Sequence, residues 1–183
     1  MKATGIVRRI DDLGRVVIPK EIRRTMRIRE GDPLEIYTDR DGEVIFKKYS
    51  PIGELNAFAA QYADTLHKIG ELAVMICDRD AVIAAAGIPR RDHAEKQLSE
   101  EMDSIIESRA LYVWRDGEPR LSPMRDSSGY FISCAMPIIS DGDLMGCVAS
   151  VLPAEGQRGS TPTDAEAKLI ETAAGFLGRQ LEA

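Results

Sequence analysis

Apolar and polar residues alternate in "GIVRRI" at residues 5–10 and again in "RVVI" at 15–18, with the turn-forming "DDLG" between them. A period of two marks a half-buried strand, so the pattern predicts a β-hairpin. Ile18 precedes Pro19 and is pushed toward extended backbone, while Pro19 suits a helix start, so a short helix is expected from about residue 19 to 28. "GDP" at 31–33 breaks it. "LEIYTD" and "EVIFKK" read as two further strands around "RDG", where Asp41-Gly42 favours a tight turn. The predicted order is ββαββ within residues 1–50.

At "KKYSPIGEL" the pattern changes. Ser50 is placed to cap a helix and Pro51 to open it. Leu55, Phe58, Tyr62, Leu66 and Ile69 then recur at steps of three and four, a seam that suits either the chain's own sheet or the same helix of another subunit. "LAVMICDRDAVIAAAG" reads as two strands around the Asp78 to Asp80 turn, and a helix is expected from near Asp92, with Glu95 completing a capping-box pattern. "LYVWRDGEPR" reads as a strand and turn, and residues 115–129, "RDGEPRLSPMRDSSG", either as a loop able to close like a lid over a small molecule or as a plain surface loop. "YFISCAMPII" and "LMGCVASVL" are central strands joined through "SDGD", and Thr163 with Glu166 caps a last helix running to about residue 181. The fold class is α+β, in two domains of residues 1–52 and 53–183.

Charge divides the chain at the same place. Residues 1–52 hold 12 Lys and Arg against 9 Asp and Glu, net +3, and residues 53–183 hold 12 against 21, net −9. The cations crowd into "GRVVIPKEIRRTMRI" although the whole chain carries −6. On a helix, Lys20, Arg23, Arg24 and Arg27 fall within an arc of roughly 100°, with Ile22 and Met26 on another arc. Arg15 on the neighbouring strand can extend the patch. So can Arg8 or Arg9, but not equally, because successive strand residues face opposite ways; Arg8 is favoured. Guanidinium groups on rigid elements suit DNA phosphates, whose neutralisation releases counterions. Charge alone also fits an acidic protein tail, or a solvated face in which Arg23 or Arg27 pairs with Glu21, Glu30 or Asp12.

Catalytic chemistry finds little purchase. His67 and His93 are the only histidines, and no HExxH, GxSxG or P-loop pattern accompanies them. Cys77, Cys134 and Cys147 form no CxxC, so reduced, buried thiols are expected in place of disulfides or zinc. The carboxylates of "SEEMDSIIES" read as a solvated helix face. No enzyme activity, metal or cofactor is expected. No apolar run is long enough to span a bilayer and "MKATGIVRRIDDLG" has no apolar core, which leads us to expect a cytoplasmic protein with no membrane partner.

Residues 4–49, above all "LGRVVIPKEIRR", resemble the AbrB-type swapped-hairpin DNA-binding domain. The resemblance implies an obligate dimer through residues 1–52, with hairpins of two chains interlocked in one barrel, a solution to the small core of so short a domain. It implies double-stranded, AT-rich DNA as partner, read more by shape than by base, with contacts at Arg8, Arg15, Arg23 and Arg24. Lys2, Arg9, Lys20 and Arg27 are auxiliaries by position. "MPIISDGDLMGCVASVL" resembles a GAF-like sensor domain, an antiparallel sheet with flanking helices. With "ETAAGFLGRQLE", the whole chain resembles a family of transcription regulators of endospore-forming bacteria. A homotetramer at the nucleoid is expected if the second domains pair through their seam helices, and the GAF-like domain offers a place for a small-molecule effector, itself unidentified, or a pocket that is empty or vestigial. An antitoxin-like module and a purely architectural DNA-binding protein are the alternatives.

Overall fold

The computed structural model describes residues 5–94, 96–126, 129–155 and 162–182, and the chain divides into two units at Tyr49/Ser50. In the first, the predicted turn forms. The Asp11 carboxylate accepts the N–H groups of Leu13 (3.0 Å) and Arg15 (2.8 Å), the Gly14 N–H bonds Asp11 O at 3.0 Å, and Gly14 takes the left-handed φ of 76°. The flanking arms, however, form no strand ladder, so the expected first hairpin is not made within one chain. Val7 is 86% and Val17 70% exposed, and Ile10, Leu13 and Val16 are also open to solvent. A two-stranded ribbon that buries no apolar face does not offset the entropy of ordering it.

Helix α1, Lys20–Thr25, is shorter than the expected span to 28. It ends in a Schellman arrangement: Ile28 N–H bonds Arg23 O (2.8 Å), Arg27 N–H bonds Arg24 O (3.3 Å), and Arg27 sits at φ 52° where glycine is usual. Strands β1, Leu34–Thr38, and β2, Val44–Lys48, then pair antiparallel from Leu34↔Lys48 to Thr38↔Val44. Asp39 Oδ1 closes their loop by accepting from the N–H groups of Asp41 (3.0 Å) and Glu43 (2.9 Å).

The second unit opens on α2, Pro51–Glu54, whose Ser50 cap accepts from Gly53 N–H at 3.2 Å, and continues after Leu55 as α3, Asn56–Gly70. Strands β3 (Ala73–Cys77), β4 (Val82–Ala86), β5 (Tyr112–Val113), β6 (Tyr130–Ser140) and β7 (Asp143–Pro153) form an antiparallel sheet in the order β4-β3-β7-β6-β5. Alternation decides which face each residue serves. Val74, Ile76, Ile138 and Val148 join Ala59, Ala63 and Leu66 of α3 and Ile170, Ala173 and Leu177 of α6, Asp164–Leu181. Met75, Cys77, Ile132 and Ala149 face the other way, onto Met102, Ile105 and Ile106 of α5, Glu100–Ser108. Both sheet faces are covered, so the middle strands are buried throughout.

Two expectations are corrected here. The helix foreseen at Asp92 is a four-residue turn, α4, Arg90–His93, that begins at Pro89; Ala94 returns to extended backbone, and Glu95 lies outside the described residues. The nine-residue helix is α5, capped by Ser99 Oγ, which accepts from Met102 N–H at 3.0 Å. The segment foreseen as a lid is stitched down from Trp114 to Arg125. Trp114, buried, meets Phe131 edge-on at 5.2 Å, and Ile132 N–H bonds Leu121 O at 2.9 Å. Ser99 Oγ bonds Ser122 O, Met124 is buried in the second core, and Arg125 N–H bonds Gln97 O at 2.9 Å. Residues 127 and 128 of that segment lie outside the described residues.

Candidate nucleic-acid interface

Helix α1 is short and buries no residue, and on it Lys20, Arg23 and Arg24 are exposed together. Ile22 is half-buried, but Met26, expected on the same apolar arc, is 57% exposed, so only part of the predicted apolar side is covered in one chain. Arg23 and Arg24 have no ion-pair partner among the described residues. Arg8 and Arg9 are exposed on the first arm. Arg15 is exposed on the second, where its Nε donates to Asp11 Oδ2 at 2.8 Å. The N–H and guanidinium of Arg15 together hold the Asp11 carboxyl below the usual carboxylate range, with a further contribution from Leu13 N–H.

Arg27 departs from the expected arc, because the helix has ended before it; the residue is half-buried and its Nη1 is buried without an acceptor among the described residues. Lys2 lies outside the described residues. Sequence reasoning missed the polar contacts that hold this region: Lys48 Nζ donates to Arg27 O at 2.9 Å and lies 3.5 Å from Asp32 Oδ2. Their only trace in the sequence is Lys48 at a strand end, and its partner is set by register with Leu34.

The second unit holds little reactive chemistry. Burial pushes the Cys134 thiol up to about 12 and raises those of Cys77 and Cys147 well above the ordinary thiol range, the opposite of an activated nucleophile. His67 Nδ1 lies 2.8 Å from Leu72 O, a local tie at the end of α3. Burial, then the neighbouring Arg90, lowers the pKa of His93. Among the described residues no cluster of His, Cys, Asp and Glu could hold a metal ion, and no helix is long and apolar enough to cross a membrane. An open cleft of about 440 Å³ lies at the start of α5, lined by Ser99, Glu100, Ser122, Met124 and Arg125, with Arg125 Nη2 3.2 Å from Glu100 Oε1.

Comparison with known proteins matches residues 54–182 to the family described as stage V sporulation protein T C-terminal, transcription factor, and residues 7–53 to antidote-toxin recognition MazE, bacterial antitoxin. Stage V sporulation protein T of Bacillus subtilis (strain 168) is 50% identical over 185 residues, covering 100% of this chain and 99% of that protein. The transition state regulatory protein AbrB of the same organism is 65% identical over 51 residues, 28% of this chain and 52% of its own. The GAF domain of a phosphoenolpyruvate-protein phosphotransferase from Coxiella burnetii superposes with a TM-score of 0.54 at 16% identity, over 69% of this chain and 82% of that one, a likeness of fold alone. With a match that runs through both units from end to end, the chain belongs to the stage V sporulation protein T family of transcription factors.

Proposed function

We propose that the protein is a cytoplasmic, non-enzymatic regulator of endospore development that binds AT-rich duplex DNA. Arg8, Arg15, Arg23 and Arg24 would meet phosphate, with Lys2, Arg9, Lys20 and Arg27 as auxiliaries. The observation that carries this reading is the first unit itself, which combines solvent-facing cations on α1 with apolar arms left uncovered in one chain. A second copy interleaved through residues 1–52 would cover those arms and double the cations. What supports a tetramer is the second unit, where Phe58, Tyr62 and Phe176 lie with ring centroids 5.6–6.1 Å apart on α3 and α6, Phe176 is 41% exposed and Ile69 80% exposed, apolar surface suited to another subunit. The second unit also receives a small-molecule effector in this reading, and the cleft beside Ser99 and Arg125 is the place to seek it by thermal shift on the full chain.

Two copies of four arginines offer about eight phosphate contacts, so log K against log salt should have a slope of about −7. Arg23→Ala should weaken binding to many sequences alike and make that slope shallower by up to about 2. Fluorescence anisotropy on AT-rich duplexes over a salt series measures both, and an unchanged affinity and slope would remove Arg23 from the interface. The MazE-type match over residues 7–53 favours a second reading, an antitoxin module. Its discriminating result would be tight binding to a toxin protein with no effect of DNA or of Arg23→Ala.

A further inference from the structure

Between the end of α1 and the start of β1 lies a largely buried polar cluster built on Asp32 and Lys48. The Asp32 side chain is 3% exposed; its Oδ2 accepts the Arg29 N–H at 2.8 Å and faces Lys48 Nζ at 3.5 Å. Lys48, its side chain 24% exposed, also donates to Arg27 O at 2.9 Å. That carbonyl belongs to the left-handed residue that ends α1, where the helix dipole is negative and a cation is favoured. Pairing of Leu34 with Lys48, and the bond from Tyr49 N–H to Pro33 O at 3.0 Å, hold β2 beside the 29–33 segment. One ammonium on β2 therefore grips both the loop carboxylate and the last turn of the helix.

Helix α1 needs such a grip. It spans six residues, has no side-chain cap at its start and buries no residue, so its own hydrogen bonds cannot set its direction. We propose that Asp32 and Lys48 form a buried strut that aims α1, making them positioning residues for Arg23 and Arg24 in DNA binding, an inference that rests on the DNA-binding reading above. Lys48 turns its charge inward, so it acts on DNA through the helix and not as a phosphate ligand. Removing either partner alone takes an opposite charge away from a largely buried group, whereas removing both takes the pair away together.

A double-mutant cycle on the full-length protein tests this, by anisotropy with an AT-rich duplex at low salt, for Lys48→Met, for the Arg23→Ala, Arg24→Ala pair, and for all three together. Lys48→Met should weaken binding about tenfold in the native background and less than about twofold once both arginines are gone, because residues acting through one another do not add. Lys48→Arg, which can still pair with Asp32, should restore most of the affinity. Should Lys48→Met fail to dimerise, the neutral pair Asp32→Asn, Lys48→Met carries the same cycle. Equal losses in both backgrounds, or no loss from Lys48→Met, would overturn the strut. Full affinity in the arginine variant would overturn the DNA-binding reading, and the strut with it.

Discussion

Asp11 builds the turn of the first unit and holds Arg15 with the same carboxylate, so a phosphate approaching Arg15 meets a competitor already in place. The pair is exposed and solvent screens it, which leaves Arg15 able to exchange one anion for another. Asp11→Asn keeps an oxygen for the Leu13 and Arg15 N–H groups while removing the charge. It should raise DNA affinity with the salt slope unchanged, read in the same anisotropy series; weaker binding would mean that the ion pair itself shapes the arm. The thiols make a second prediction. Near neutrality they are uncharged in native and unfolded chains alike, so they add no pH dependence. Above the ordinary value of 9.0 the unfolded thiols ionise, while Cys134 stays protonated until about 12, so stability should fall as pH climbs through that window. Thermal denaturation should show the decline, shallower in Cys134→Ala, with all three native thiols slow toward a thiol reagent below that range.

At the scale of elements, α6 carries two glycines with opposite consequences. A Cβ on Gly178 would run into the carbonyl of Ile139 on β6, whereas nothing lies within 4 Å of one on Gly175. Gly178→Ala should therefore lift the helix from the sheet and lower the melting temperature sharply, while Gly175→Ala should leave stability unchanged or raise it by up to about 1 kcal/mol. Helix caps at Ser50 and Thr163 were legible in the sequence because capping is local: each oxygen meets an N–H three residues on. Even there the pattern was half read. Glu166 turns away from its cap and accepts instead from Ser133 (2.8 Å) and Ser150 (2.6 Å), serines on two different strands. Ser99 gives no capping-box signal, because Met102 and not a Glu stands three residues on. The long strands β6 and β7 were plain from their apolar runs and the Asp141-Gly142 turn. The first hairpin was legible as a pattern and yet is not made, since its ladder requires a surface that one chain lacks. For the site, the exposed cations of α1 follow from a period of 3.6, whereas the Asp32–Lys48 contact depends on strand register, which no local pattern encodes.

For the whole molecule, net charges of +3 and −9 on the two stretches of chain would draw the first toward DNA and repel the second from it. Val17→Asp tests how the first is completed. Val17 is 70% exposed in a single chain, where an aspartate would be harmless; buried against a second copy it would be an unpaired carboxylate in an apolar core. Analytical ultracentrifugation should show loss of the dimer, together with loss of DNA binding, while unchanged assembly would mean that the arms stay open to water.

Those uncovered arms also bear on how the regulator responds to its own supply. A protomer that becomes competent only on meeting another makes occupied DNA rise with the square of chain concentration below the dimerisation constant, and more steeply where dimers join. If the arms are covered in a dimer, as proposed above, modest changes in synthesis or turnover would swing target sites from mostly empty to mostly filled, and the exposed valines of one small unit would set the sharpness of that response.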